Sequence, residues 1–290
     1  MRTLRVALAA ALVLGAAVAL PSTASADTTS PTYYLALGDS LSQGYEPVVS
    51  GGQIVSAGDT DRGYVDDLYT KLQAANPSLQ LVKLGCSGET TGSMISGGVC
   101  TDGRYTTGSQ LGDAEAFLAA HKGQVKYLTI DIGANDVDSC APGGSIDFAC
   151  VVQGLGTIAK NLFTILSGLH KAGLSGVTKV AMNYYDPFLA DYLTGTQGQV
   201  VADASVALLE VLNATEELEY SLYGFKIADV ASAFKSTSFG NKSDVPPYGT
   251  LPANVANICT LTYMCEVQNI HANDTGYQVI ADTFAAKLHV

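Results

Sequence analysis

Three short polar turns in this chain each follow an apolar run, and between them they hold a nucleophile and the donors that acyl transfer requires. The first is Gly38-Asp39-Ser40-Leu41-Ser42. A Ser directly after a buried strand can present its hydroxyl at the strand's carboxyl end, where a nucleophile meets a substrate; the same residues also suit a plain turn whose side chains cap a helix. The second is Gly85-Cys86-Ser87-Gly88-Glu89-Thr90-Thr91, whose glycines permit a tight turn that offers backbone N–H groups to an anion. The third, Asp131-Ile132-Gly133-Ala134-Asn135-Asp136, puts a side-chain amide where it can donate to a developing oxyanion. A base is also needed. Of the four His, His121 and His170 fall near the ends of helical stretches and His289 stands at the C-terminus. His271 opens the loop His271-Ala272-Asn273-Asp274 and is the one placed to reach the same edge.

The elements that must position these residues alternate in type. Apolar runs at 33–37, 79–84, 127–132, 177–182 and 225–230 read as five strands. Stretches at 64–72, 111–120, 151–169, 200–222 and 276–288 repeat apolar residues at helical spacing. Near-continuous apolar strands separated by helices predict an α/β fold with a mostly parallel five-stranded sheet covered on both faces, a three-layer α/β/α sandwich. In such sheets ligands gather past the carboxyl ends of the strands, and each of the three polar turns lies at such an end. Loops 46–62 and 234–263 are expected to wall the pocket, with Tyr45, Phe239, Tyr248 and Leu251 in or beside them.

Composition narrows the function. Apolar residues make up 47% of the chain and charged residues 14%, which excludes a disordered polypeptide. The net charge is −12 with no basic block, which excludes a nucleic-acid partner. Arg2 and Arg5, an uncharged run over 6–20 and Ala24-Ser25-Ala26 form a secretory signal cleaved near Ala26. The run is shorter than the roughly 20 residues that span a bilayer, and no later stretch reads as a span. Residues 1–26 are therefore expected to be a signal peptide and 27–290 one secreted domain, extracellular, monomeric and without stable membrane insertion. An oxidising compartment suits the six Cys, which fall into local pairs Cys86–Cys100, Cys140–Cys150 and Cys259–Cys265. Connectivity cannot be derived from spacing alone, and sequential pairing is the expectation. No C-x-x-C spacing occurs, so no metal is expected. The acidic cluster Asp59, Asp61, Asp66 and Asp67 lacks the spacing of a calcium loop.

Gly38-Asp39-Ser40-Leu41, the Gly88 turn, Gly133-Ala134-Asn135-Asp136 and Ile270-His271 resemble, in order and spacing, the four blocks of the SGNH hydrolases, also called GDSL lipases and esterases. The secretory signal and six Cys are similar to the secreted actinobacterial branch. The resemblance implies a flavodoxin-like sheet and a serine ester hydrolase that needs no cofactor. It implies Ser40 as nucleophile and His271 as base. It gives the oxyanion hole to the Ser40 and Gly88 backbone N–H groups and the Asn135 amide. One position departs from the pattern. The family has Asp three residues before the His, and here that residue is Gln268. An oxygen of Gln268 is therefore expected to orient His271, with Glu266 as the rival acid. The expected substrate is a small-molecule or lipid ester, with lipase, phospholipase A and carbohydrate acetylesterase activities on the same scaffold. A non-catalytic binding module that retains the fold is the alternative.

Overall fold

In the computed structural model, which describes residues 31–141 and 145–290, the chain alternates strand and helix around one twisted sheet. The expected signal segment 1–26 lies outside the described residues. The strands are β1 (Thr32–Gly38), β2 (Glu46–Ser50), β3 (Gln53–Gly58), β4 (Leu79–Lys83), β5 (Val125–Asp131), β6 (Thr178–Met182), β7 (Lys226–Ala228), β8 (Ser243–Val245) and β9 (Gly249–Leu251). The helices are α1 (Tyr64–Ala75), α2 (Thr91–Ser96), α3 (Gln110–Ala120), α4 (Phe148–Gly173), α5 (Thr196–Leu222), α6 (Val230–Ala233), α7 (Ala253–Leu261), α8 (Met264–Val267) and α9 (Asp274–Leu288).

The main sheet has the order β4-β1-β5-β6-β7 and every pair in it is parallel. All five strands read from the sequence are present. Tyr34 to Leu37 have no solvent exposure, as a strand covered on both faces requires. Alternate residues feed two cores. Tyr34, Ala36, Val180 and Met182 pack toward α1, α7 and α9. Leu35, Leu37, Leu128 and Ile130 pack toward α3 and α4. This is the three-layer α/β/α architecture expected from the alternation, in the flavodoxin-like order. Successive connections leave β1 in opposite directions, toward β4 and toward β5, so a crevice opens at the carboxyl ends of β1 and β5. Ser40 follows the first of these strands and Asn135 the second.

Two expectations are corrected. Segments 46–62 and 234–263 are not plain loops: the first carries the hairpin β2–β3 and the second the hairpin β8–β9 and helix α7. Their strands are too short for period-2 reading, and Leu251 is spent on the core, with Phe239 and Tyr248 packed against it. Second, α4 is long and apolar enough, by length and composition, to cross a membrane, although no later stretch was expected to be. Its Ile158, Leu162, Ile165 and Leu166 are buried without exposure in the protein's own core. Within the acidic cluster, Asp66 pairs with Lys83 at 2.8 Å and the exposed Asp59 accepts from Ser87.

The six Cys form three local disulfides, Cys86–Cys100, Cys140–Cys150 and Cys259–Cys265. The first ties down the turn after β4, where Arg104 also donates to Gly85 O at 3.0 Å. It closes a loop across 14 positions, for which the chain-entropy account gives about 3 kcal/mol. Replacing Cys86 and Cys100 together by Ser should lower the urea-unfolding free energy by about that amount; a loss under about 1 kcal/mol would show that the turn is held by its hydrogen bonds instead.

Candidate active site

Ser40 sits in the turn directly after β1. Gly38 makes this turn possible. Its φ is +144°, and a Cβ there would lie 2.3 Å from the Asp131 carboxylate, so only Gly lets β1 end this close to β5. Gln110 closes on the same residue, accepting from Gly38 N at 2.7 Å and donating to Gly38 O at 2.9 Å. Asp39 then fixes the turn: its carboxylate accepts from Leu41 N and from the Tyr184 hydroxyl, both at 2.9 Å. Beneath it, burial and then the charge of Asp39 raise the Asp131 carboxyl well above the usual range.

His271 lies at the mouth of the same turn. Its Nε2 is 2.8 Å from Ser40 Oγ, within reach for proton transfer. The ring rests against Tyr45, with centroids 4.5 Å apart. The loop that carries it is pinned on both sides. Tyr185 donates to Ile270 O at 2.7 Å, and Asn273 caps α9 by accepting from Gly276 N at 3.0 Å.

The group that orients His271 differs from the expectation. Asn269 Oδ1 lies 2.9 Å from His271 Nδ1 and also accepts from the His271 backbone N–H at 3.1 Å. Gln268 and Glu266, the two residues expected in this role, are both exposed. The reason is local. Helix α8 ends with Gln268 in the left-handed region, φ +54°, which turns that side chain outward and brings the next residue under the imidazole. Because the backbone N–H can only donate, the acceptor of both bonds is the amide oxygen. Nδ1 therefore carries the proton and Nε2 accepts from the Ser40 hydroxyl. Burial pushes the His271 pKa down to about 4.

Asn135 lies in the turn after β5, on the same cavity as Ser40 and His271. Its Nδ2 donates to Glu89 O at 2.8 Å, leaving the second amide hydrogen free to point elsewhere. Asp136 binds the neighbouring turn, accepting from Thr91 N at 2.8 Å and Thr91 Oγ1 at 2.7 Å. The turn containing Gly88, φ +84°, is thus tied to the turn containing Asn135. Gly88 is not among the residues lining the cavity.

The cavity has a volume of about 110 Å³. Its walls are not the two loops expected. They come from residues 137–141 and 145–155, the segment 184–191 and the inner face of α5, with Val151, Leu155, Val201, Leu209 and Leu212 toward the interior. Among the described residues no Lys or Arg lines it. Asp138 does, and burial first, then the charge of Asp39, pushes its carboxyl up to about 7. Neither Asn269 nor Asp138 is among the functional residues the sequence suggests; Tyr45 is, as a residue beside a pocket loop, and it instead packs on the imidazole. For Asn269 a signal existed: an amide oxygen two residues before the only suitably placed His.

A family model, the GDSL-like Lipase/Acylhydrolase family, matches residues 36–279. Among curated protein sequences none matches the chain. Among solved structures, an extracellular lipase from Streptomyces rimosus is 18% identical with a TM-score of 0.54, covering 88% of this chain and 99% of that one. An acetylxylan esterase from Geobacillus stearothermophilus is 15% identical with a TM-score of 0.53, covering 89% and 94%. A GDSL-like protein from Parabacteroides merdae is 15% identical with a TM-score of 0.55, covering 89% and 95%. At these identities the likeness is one of fold.

Proposed function

Since the chain belongs to the GDSL-like lipase/acylhydrolase family and is thus a serine ester hydrolase, we propose that it is a secreted carboxylic ester hydrolase that works through an acyl-enzyme on Ser40. The observation that carries this is the 2.8 Å contact between Ser40 Oγ and His271 Nε2 at an apolar cavity. Ser40 Oγ attacks the ester carbonyl while Nε2 takes its proton. The tetrahedral oxyanion accepts from the Asn135 amide and from the backbone N–H groups of Ser40 and Gly88. On collapse, Nε2 returns the proton to the leaving alcohol and the acyl group stays on Ser40. Water, deprotonated by the same nitrogen, then releases the acid. The acyl chain lies among Val151, Leu155, Val201 and Leu209. That wall favours an alkyl chain, and so a lipid ester, over an acetyl group on a sugar. The export signal expected over 1–26 and the three disulfides support an extracellular protein with residues 27–290 as one domain.

The test is a panel of p-nitrophenyl esters from acetate to palmitate, with fluorophosphonate labelling of Ser40. A medium or long chain should give the highest kcat/KM. Preference for acetate would point to a carbohydrate acetylesterase, and a folded protein without labelling to a binding module.

Asp138 adds a pH dependence to that preference. Its carboxyl is neutral below its pKa of about 7 and ionised above it, and an alkyl chain packed beside it requires the neutral form. The other acids around the cavity are Asp39, Asp186 and Asp191; Asp186 is also raised to about 7 by burial but accepts from Ser205 Oγ at 2.7 Å. The ratio of kcat/KM for octanoate over acetate should therefore fall by about tenfold per pH unit above pH 7. In Asp138→Asn it should stay flat. A ratio that falls equally in both proteins would remove Asp138 from this role.

A further inference from the structure

Helices α4 and α5 lie side by side over the cavity, and their outer faces are unusually apolar. On α4, Phe148, Val152 and Phe163 fall within an arc of about 60°. On α5, Val200, Val211, Leu218 and Leu222 fall within about 40°. These seven side chains are between 50 and 69% exposed, and they make up most of the large apolar side chains exposed among the described residues. The two rows adjoin: Phe163 meets Tyr223, just past the end of α5, edge to face with ring centroids 6.4 Å apart. Only 33% of the most apolar stretch of α4 is buried. A helix on the surface of a monomer ordinarily turns such a stretch inward.

Three observations choose the occupant. The stripe runs alongside the cavity on the same helical turns: exposed Val152, Val200 and Val211 each stand next in sequence, about 100° round the helix, to cavity-lining Val151, Val201 and Leu212. An alkyl chain leaving an aggregate would pass from one apolar surface to the other. Charge is the second. Across its 26 residues α4 has no Asp or Glu, although the chain as a whole is at −12; Lys160 and Lys171 are its fixed charges. Third, α5 carries Asp203 and Glu210 beside its stripe, which repel an anionic surface. A helix pair with an apolar stripe and flanking charges, lying flat and packed on its own core, matches the physics of an interfacial contact and not of a span.

We propose that the α4–α5 face is the surface on which this protein docks to a neutral or zwitterionic lipid aggregate, delivering acyl chains to the cavity beside Ser40. Docking itself does not depend on turnover. Its link to the cavity rests on the ester-hydrolase reading above.

The experiment uses protein recovered from culture medium and vesicles of phosphatidylcholine. Wild type should float with the vesicles. The variant Val152→Gln, Phe163→Gln, Leu218→Gln, Leu222→Gln replaces exposed residues outside the cavity and should float at least about tenfold less. Should it lose its fold by circular dichroism, the pair Leu218→Gln, Leu222→Gln carries the same comparison with a smaller loss. Hydrolysis of dissolved p-nitrophenyl butyrate should stay within twofold of wild type, while hydrolysis of emulsified glyceride drops about tenfold. Wild type that does not float, or a folded variant that floats and acts on emulsion like wild type, overturns the proposal. So does a wild-type dimer in sedimentation velocity that the substitutions dissociate, because the face then belongs to a second copy. Protein that floats but hydrolyses no ester leaves the docking surface standing and refutes the reading of the Ser40 site.

Discussion

Replacing Ser40 by alanine should lower kcat on a short p-nitrophenyl ester by about 10⁴–10⁶-fold and abolish fluorophosphonate labelling. Ser40 Oγ has one side-chain partner, His271 Nε2 at 2.8 Å. The turn around it is held by other groups, Asp39 and Gln110. Removing the hydroxyl thus takes away the nucleophile without loosening the turn, and the melting temperature should move little. His271→Ala should cost nearly as much, since an unactivated Ser hydroxyl is a poor nucleophile. The double variant should be no worse than either single one, because the two groups act as a unit. A Ser40→Ala protein within about tenfold of wild type would mean that the attack comes from another group, and the whole assignment would fall.

The sheet was legible because its strands are apolar along their whole length, and a buried parallel strand has no polar face to confuse the reading. Tyr33 to Leu37 and Val177 to Met182 are plain cases. The hairpins β2–β3 and β8–β9 were not legible, since their paired segments of three to six residues alternate too briefly to rise above loop composition. The cavity walls were hidden for another reason. Leu209 and Leu212 on α5 look like any helix core stripe in sequence; only the crossing of α5 over the segment 184–191 leaves a space between them. In the site, Ser40, Asn135 and His271 were readable since each follows a recognisable element boundary and they line one cavity. The partner of His271 was misread because a spacing of three from His was assumed. The left-handed residue Gln268 shortens that spacing to two, and backbone conformation at one residue is not written in the motif. Asp138 gives no signal in the sequence, because an acid in a polar turn is ordinarily solvated.

Asn269 makes the sharpest prediction after Ser40. Its amide oxygen is held toward His271 by the backbone N–H of the same residue, at 3.1 Å. A Ser-His-Asp site whose Asp becomes Asn loses about 10⁴ through the wrong tautomer, yet that failure requires the amide to offer its NH₂ to Nδ1. Here a second donor forbids that orientation, so a neutral residue keeps Nδ1 protonated and Nε2 basic. Asn269→Ala frees the ring and should lower kcat by about 10²–10³-fold with KM little changed, a loss on the scale of one well-placed transition-state hydrogen bond. Asn269→Asp should act differently. The buried imidazole has its pKa pushed down to about 4. It is thus in the neutral, working form above that pH, and the acid limb of kcat/KM should lie near pH 4. A carboxylate 2.9 Å from Nδ1 favours the charged ring and should raise the pKa by about 1–3 units, moving the acid limb toward neutrality. The pH profiles of the two proteins distinguish an orienting oxygen from a mere packing residue. If Asn269→Asp leaves the limb where it was, and Asn269→Ala keeps full kcat, then His271 is oriented by something else.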